Sequence, residues 1–236
     1  MSYQTETIAN ILERLNVNYF LPAIQREYVW HPDQIIQLFD SIMRQYPIGS
    51  FLFWQIKPEN RDKWDVYRFV QHFKQAGTHN ELADTGGIDL LTLILDGQQR
   101  LTSLYIGLRG TYTIKKKWMA WDNPKSWVTQ SLYLDLLQDP QVSSDDTDES
   151  IHFGFRFMET APEPNETSFW FRVGDILDCT SYDLYHQLQD RETDKLSDST
   201  TKTQMKIFRQ NLDYLYYAIW NKHNIAYYTE YDQDYD

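Results

Sequence analysis

The sequence predicts a mixed α+β fold: a small sheet with flanking helices, then a β-rich extension and a long C-terminal helix. Two strand-and-helix junctions predict the first half. Ser50 to Ile56 is an apolar strand pattern directly after a long amphipathic helical one. Leu91 to Leu95 is a second apolar run, and it passes through Asp96-Gly97 straight into another helical pattern. The third observation is a change of rhythm after Tyr112, where short strand patterns replace helices until a long apolar stripe near the end.

Taken in order, Ile8, Ile11, Leu12 and Leu15 mark a first helix, and Val17 to Leu21 a short strand. After the Gln25-Arg26 turn, Pro32 suits the first position of a helix, with Trp30 placed to staple against Ile35. Ile35, Leu38, Phe39, Ile42, Met43 and Tyr46 form that helix's buried stripe, which Pro47-Ile48-Gly49 ends. Trp64 to Phe73 is ambiguous: Val66, Phe69, Val70 and Phe73 suit a helix. His79 to Ile88 reads as a loop. Leu101, Leu104, Tyr105 and Leu108 define the helix after Gly97, which Gly110 can close.

The extension reads as strands at Thr111 to Lys115, Leu132 to Leu137 and Ile151 to Phe157. An acidic, mobile surface loop joins the last two as a long hairpin. Phe169 to Val173 adds a strand, and Asp175 starts a helical turn. Met205, Phe208, Leu212, Leu215 and Ile219 place a long helix from about Thr201 to His223, running into a last strand, Ile225 to Thr229.

Composition excludes several classes. No stretch is long and apolar enough to span a membrane, and Met1 to Ile8 lacks a signal-peptide pattern. Cys179 is the only cysteine, which rules out an internal disulfide and a cysteine zinc cluster; a cytoplasmic protein fits best. The six histidines form no metal-binding pair, and no P-loop, nucleophile elbow or zincin helix is present. The net charge of −12 opposes nucleic-acid contact, but nine of the acids lie in Gln138 to Ser150 and Glu230 to Asp236, and without them the charge is −3. Lys115-Lys116-Lys117, ahead of Trp118 and Trp121, has the make-up of a nucleic-acid surface, although a solvated strand edge is the favoured reading.

The Asp96-Gly97-Gln98-Gln99-Arg100 junction carries the chemistry. A tight strand-to-helix turn aims free backbone N–H groups and the positive helix end at one point, and glycine lets an anion come close. Arg100 adds a permanent charge with a planar fork of donors. The bland alternative is that Asp96 and Gln99 have capping-box spacing and need no ligand. Gln25 and Arg26 sit in a second polar turn wedged between strongly apolar elements.

The boxes P-x-x-Q-R-x-Y-V-W (Pro22 to Trp30), P-I-G-S-F-L-F-W (Pro47 to Trp54) and I-L-D-G-Q-Q-R-L-T-S-L (Ile94 to Leu104) resemble the N-terminal domain of GmrSD-type restriction enzymes, which act in bacterial defence against modified phage DNA. That domain is similar in fold to ParB and sulfiredoxin. The resemblance implies a ParB/sulfiredoxin-like nucleotide-binding core over residues 1–112 and a β-rich extension with a long helix over 113–236, part of the same globular unit. It also implies binding and hydrolysis of a nucleoside triphosphate with Mg²⁺. Asp96, Gly97, Gln98, Gln99 and Arg100 stand at the phosphates, and Gln25, Arg26 and Tyr28 complete the pocket.

In that scheme Arg100 and Arg26 neutralise charge, Gln25 or Gln98 orients the attacking water, and Asp96 holds a Mg²⁺-bound water or only caps the helix. Tyr28 stacks on a base or is core packing. The expected partners are the triphosphate, DNA through the full-length protein, and a nuclease domain in cis or trans. A non-catalytic DNA- or partner-binding module is the alternative, and a nuclease in its own right the second; no (D/E)-x-K triplet supports the latter. The turn lacks the cysteine of sulfiredoxin chemistry. The family continues beyond Asp236 with a glycine-rich segment of the site, so this fragment is expected to bind nucleotide weakly and turn it over slowly or not at all.

Overall fold

Residues 3–23, 26–142 and 151–231 are described by the computed structural model, and the first element is one that no apolar pattern announces. β1 (Gln4–Glu6) is polar and lies at a sheet edge, paired only with the last strand of the chain. Thr7 then caps α1 (Ile8–Arg14), its hydroxyl accepting from the Asn10 N–H at 3.3 Å. β2 (Tyr19–Pro22) starts later than the pattern predicts, because Val17 sits exposed in the preceding turn. α2 (Pro32–Met43) opens on Pro32 as read, and β3 (Ser50–Ile56) follows as read.

The helical spacing of Trp64 to Phe73 does not survive. β4 (Val66–Tyr67) and β5 (His72–Lys74) are extended there, with Val66 opposite Pro22 and Phe73 opposite Tyr112. Pairing to strands distant in sequence decides the conformation, which local periodicity cannot register. β6 (Leu91–Asp96), α3 (Gln98–Arg109) and β7 (Thr111–Lys115) fall where the sequence puts them.

β8 (Trp127–Asp135) and β9 (Gly154–Met158) form the expected antiparallel pair, shifted toward the N-terminus for β8 and started later for β9. Residues 143–150, most of the expected acidic loop, lie outside the described residues. Its return is fixed by Asp40 on α2, whose Oδ1 accepts the N–H groups of His152 and Phe153 at 2.8 Å each. β10 (Trp170–Arg172) leads into a short 3-10 turn at Val173–Asp178.

α4 (Tyr182–Thr193) went unpredicted. Its buried side is only Tyr185, Leu188 and Glu192, and the last is a charge, held by Lys195 at 2.6 Å and Arg191 at 3.1 Å. α5 (Lys202–Tyr216) and a π-helical turn (Tyr217–Asn221) make up the expected long helix, and β11 (Ile225–Glu230) ends the described chain.

The strands build two sheets. The first runs β1-β11-β3-β6-β2-β4, with β2 parallel to β6, β3 antiparallel to β6, and β11 parallel to β3. The second runs β10-β8-β7-β5, with β9 also on β8. β5 covers β7 only over Thr111 to Thr113, so Lys115 ends the strand past that pairing and Lys116 and Lys117 lie exposed just beyond it.

One core joins the pieces. Ile8 and Ile11 of α1, Ile35 and Phe39 of α2, Leu101 and Leu104 of α3, and Phe208 and Leu212 of α5 are all essentially buried in it. Each such side chain contributes roughly 1.5–3 kcal/mol of hydrophobic free energy. A smaller cluster of Phe20, Ile56, Val66, Leu91 and Leu93 covers the other face of the first sheet. Among the described residues no helix is long and apolar enough to cross a membrane.

Candidate functional site

β2 and β6 are parallel neighbours, so their C-terminal ends emerge side by side, and a cleft of about 610 Å³ opens just beyond them. Crevices outside the carboxyl ends of parallel strands are the usual ligand position in α/β sheets. Ala23 after β2, Leu95, Asp96 and Gly97 at the end of β6, the first turn of α3, and Arg26 and Trp30 line this one. Leu95 is exposed here although it ends a buried run, which leaves an apolar patch inside a polar cleft.

Gly97 makes the junction possible. Its φ of +88° is left-handed, and a Cβ there would run into the Phe51 ring. Gly97 is the N-cap of α3, and no side chain caps the helix. The capping box allowed by the Asp96–Gln99 spacing is therefore not formed. The reason is that Gln99 is engaged elsewhere: its Nε2 donates to Glu27 O at 3.0 Å and its Oε1 accepts from Val29 N–H at 3.1 Å. The first N–H groups of α3 are thus left for a ligand or water.

The two predicted turns do meet, with Gln99 as the link. Arg26 is exposed and lines the cleft. Gln25, assigned with it to the phosphates and the attacking water, lies outside the described residues. Tyr28 points the other way. It is buried, edge-on to Phe73 at 5.1 Å between centroids, and its hydroxyl meets Ser103 Oγ at 2.8 Å. Ser103 in turn donates to Gln99 O at 2.8 Å. Burial raises the Tyr28 pKa well above the ordinary tyrosine value. Of the two roles read for Tyr28, its placement is that of core packing.

Arg100 has several partners. Its Nη1 donates to Ile48 O and its Nη2 to Ser50 O at 2.9 Å. The guanidinium lies 4.5 Å from the Phe51 ring centroid and 3.5 Å from the Asp96 carboxylate. It fits against Gly49, whose φ is +83° and where a Cβ would overlap the guanidinium. Arg100 thereby fastens the start of β3 to α3. Gln98 folds back, its Nε2 donating to Ile94 O at 2.8 Å. Asp96 stays open, with 71% of its side chain exposed.

No group of three or more histidine, cysteine, aspartate or glutamate side chains is gathered for a metal among the described residues. One carboxylate, Asp96, can serve a Mg²⁺ that is otherwise coordinated by phosphate oxygens and water, the usual mode for that ion. Trp30, Ala23 and Leu95 are lining residues that sequence reasoning missed: Trp30 was read only as a helix staple and Leu95 only as buried strand. Alternation along β6 would have exposed Leu95 only if the strand's end had been known.

Comparison with known proteins is consistent with these boxes. The family model described as the GmrSD restriction endonuclease N-terminal domain matches residues 8–236. An uncharacterised protein of Methanocaldococcus jannaschii is 29% identical over 109 residues, covering 46% of this chain and 18% of the archaeal protein. This chain thus spans a small part of that relative's length.

Proposed function

Because the chain belongs to the GmrSD restriction endonuclease N-terminal domain family, we propose that it binds and hydrolyses a nucleoside triphosphate and so regulates DNA cleavage by a nuclease domain carried outside this chain. The observation that carries this reading is the uncapped start of α3 at Gly97, opening into a cleft at the ends of two parallel strands. We read the first sheet with α2 and α3 as a ParB/sulfiredoxin-like core, on the strength of the sequence boxes that end in these turns.

The roles follow from position. Backbone N–H groups of Gln98 and Gln99 take phosphate oxygens, and Arg26, free to move in solvent, closes on the charge that grows during transfer. Asp96 would hold the water shell of a Mg²⁺ carried by the nucleotide, and that ion would supply charge neutralisation. The Oε1 of Gln98 orients the attacking water, since the Nε2 of the same side chain is anchored on Ile94 O. Arg100 acts by positioning: its bonds to Ile48 O and Ser50 O hold the glycine turn in the shape that exposes those donors.

Titration of the chain with each labelled triphosphate, with and without Mg²⁺, followed by phosphate release, tests the reading. Saturable binding that needs Gly97 and Arg26, with phosphate released, supports it. Binding without release, both by this chain and by a version extended past Asp236, replaces it with a non-catalytic nucleotide-sensing module, a reading favoured by the backbone anchoring of Gln98 and Arg100. No binding of any triphosphate overturns both.

A further inference from the structure

Sheet pairing sorts the side chains of the second sheet cleanly. Tyr112, Leu132, Leu134, Phe155, Phe157 and Phe171 face the core. The alternate positions face outward, and their cations are Lys74 on β5, Lys115 on β7, Arg156 on β9 and Arg172 on β10. Between them stand Trp127 and Tyr133 of β8 and Trp170 of β10, all half-buried. Lys115 lies opposite Trp127, and Tyr133 lies opposite both Arg156 and Arg172.

Charge and ring are interleaved. Lys74 Nζ is 4.3 Å from the Trp127 ring, Lys115 Nζ is 4.9 Å from Trp121, and the Arg156 guanidinium is 5.1 Å from Trp170. Trp121 packs edge-on against Trp127 at 5.6 Å, and beyond it Trp118 is fully exposed beside Lys116 and Lys117. The only carboxylate on these five strands is Asp135, which is buried and accepts the N–H groups of Leu137 and Phe169. Arg172 has Asp175 at 3.6 Å, an exposed pair that a phosphate can outcompete. In a chain of net charge −12, a face whose four cations and three aromatic rings meet only two carboxylates, the buried Asp135 near Arg156 and the exposed Asp175 on Arg172, stands apart.

We propose that this outer face of the second sheet binds single-stranded DNA, with phosphates on Lys74, Lys115, Arg156 and Arg172 and bases against Trp127, Tyr133 and Trp170. Positive charge alone would serve a duplex equally well. The aromatic rings between the cations favour unpaired bases, whose flat faces they can stack. DNA rather than RNA is the polyanion that a restriction-system domain meets. The face is separate from the α3 cleft and does not depend on nucleotide hydrolysis.

Fluorescence anisotropy of a labelled oligothymidylate of about 15 nucleotides tests it, at low salt and across a salt series. Binding is expected, with quenching of tryptophan emission and a slope of log affinity against log salt of roughly −2 to −3 for three or four neutralised phosphates. Lys74→Glu with Arg156→Glu should weaken binding about tenfold or more. Lys202→Glu with Lys206→Glu, the same charge change on exposed positions of α5, should alter it less than about twofold. Equal loss in both double variants overturns the site, as does absence of binding to the unaltered chain. Equal affinity for a duplex or for RNA of the same length overturns the single-stranded DNA assignment.

Discussion

Gln99 Oε1 accepts the Val29 N–H at 3.1 Å, across 70 residues of chain. With Nε2 donating to Glu27 O, one side-chain amide presents the donor and acceptor pair that a neighbouring strand would offer. This places Arg26 at the cleft, since the segment carrying it has no strand partner of its own among the described elements. Tyr28 supports the same link from the core side through Ser103.

Gln99→Ala should therefore release residues 26–30 while leaving the sheet intact. The expected cost is about 1–2 kcal/mol for two lost hydrogen bonds, partly replaced by water. Hydrogen exchange should show faster exchange at Val29 than at β6, and triphosphate affinity should fall with it. Gln99→Glu removes the donor and sets a carboxylate against Glu27 O, so it should be no better. Unchanged Val29 protection in both variants would refute the link.

Arg100 and Gly97 should prove stability residues as well as site residues. If Arg100 only neutralised charge, as the sequence reads it, Arg100→Ala would abolish hydrolysis without touching the thermal midpoint. With Ile48 O and Ser50 O bonded to the guanidinium, we expect a loss of roughly 2 kcal/mol, or about 4–8 °C in a chain of this size. Arg100→Lys should restore little, because an ammonium lacks the planar fork. Gly97→Ala forces a left-handed residue worth about 1–2 kcal/mol and drives Phe51 aside, so it should melt at least as early. Calorimetric melting curves for the three variants decide this.

How far the sequence could be read depends on where each element finds its partner. α2 and α3 were legible because their stripes are complete over three turns and both face one core. β4 and β5 were not, since Val66 and Phe73 owe their extended state to Pro22 and Tyr112, far along the chain. β1 is polar and exists only through β11. At the site, the glycine turn was visible in Asp96-Gly97, whereas the bare helix start was left open against a capping box. The work of Gln99 was hidden behind a spacing that local rules assign to a cap, and the fixed geometry of Arg100 needed the position of Ile48 and Ser50. Tyr28 was divided between two roles because the sequence does not say which side of the 26–30 segment faces inward.

Cys179 yields a pH prediction. It is buried, and burial, with Asp178 and Asp175 adding to it, raises the thiol from an ordinary 9.0 to about 11. The folded state therefore holds this proton more tightly than the unfolded chain does. The stability from the neutral thiol is complete below pH 9.0 and is lost as pH rises from there through about 11. Melting temperature measured across that window should fall less steeply for Cys179→Ala than for the unaltered chain. At neutral pH a thiol reagent should label Cys179 only as fast as the fold opens. Prompt labelling under native conditions would show that the site is open to solvent.

Arg26→Ala separates ligand chemistry from folding. Arg26 is exposed, lines the cleft, and bonds no buried carbonyl among the described residues, so the melting temperature should stay within about 2 °C, the range of a surface substitution. Charge-assisted bonds to phosphate are worth roughly 1.5–3 kcal/mol. Loss of Arg26 should thus weaken triphosphate binding by about ten- to a hundredfold, and binding of the corresponding nucleoside hardly at all. Because Asp96 remains, the cleft of this variant has a more negative balance, and raising Mg²⁺ should recover part of the affinity. Isothermal titration of triphosphate and nucleoside against both proteins measures the contrast. If the nucleoside loses as much affinity as the triphosphate, Arg26 contacts the base or sugar, and the phosphates lie elsewhere in the cleft.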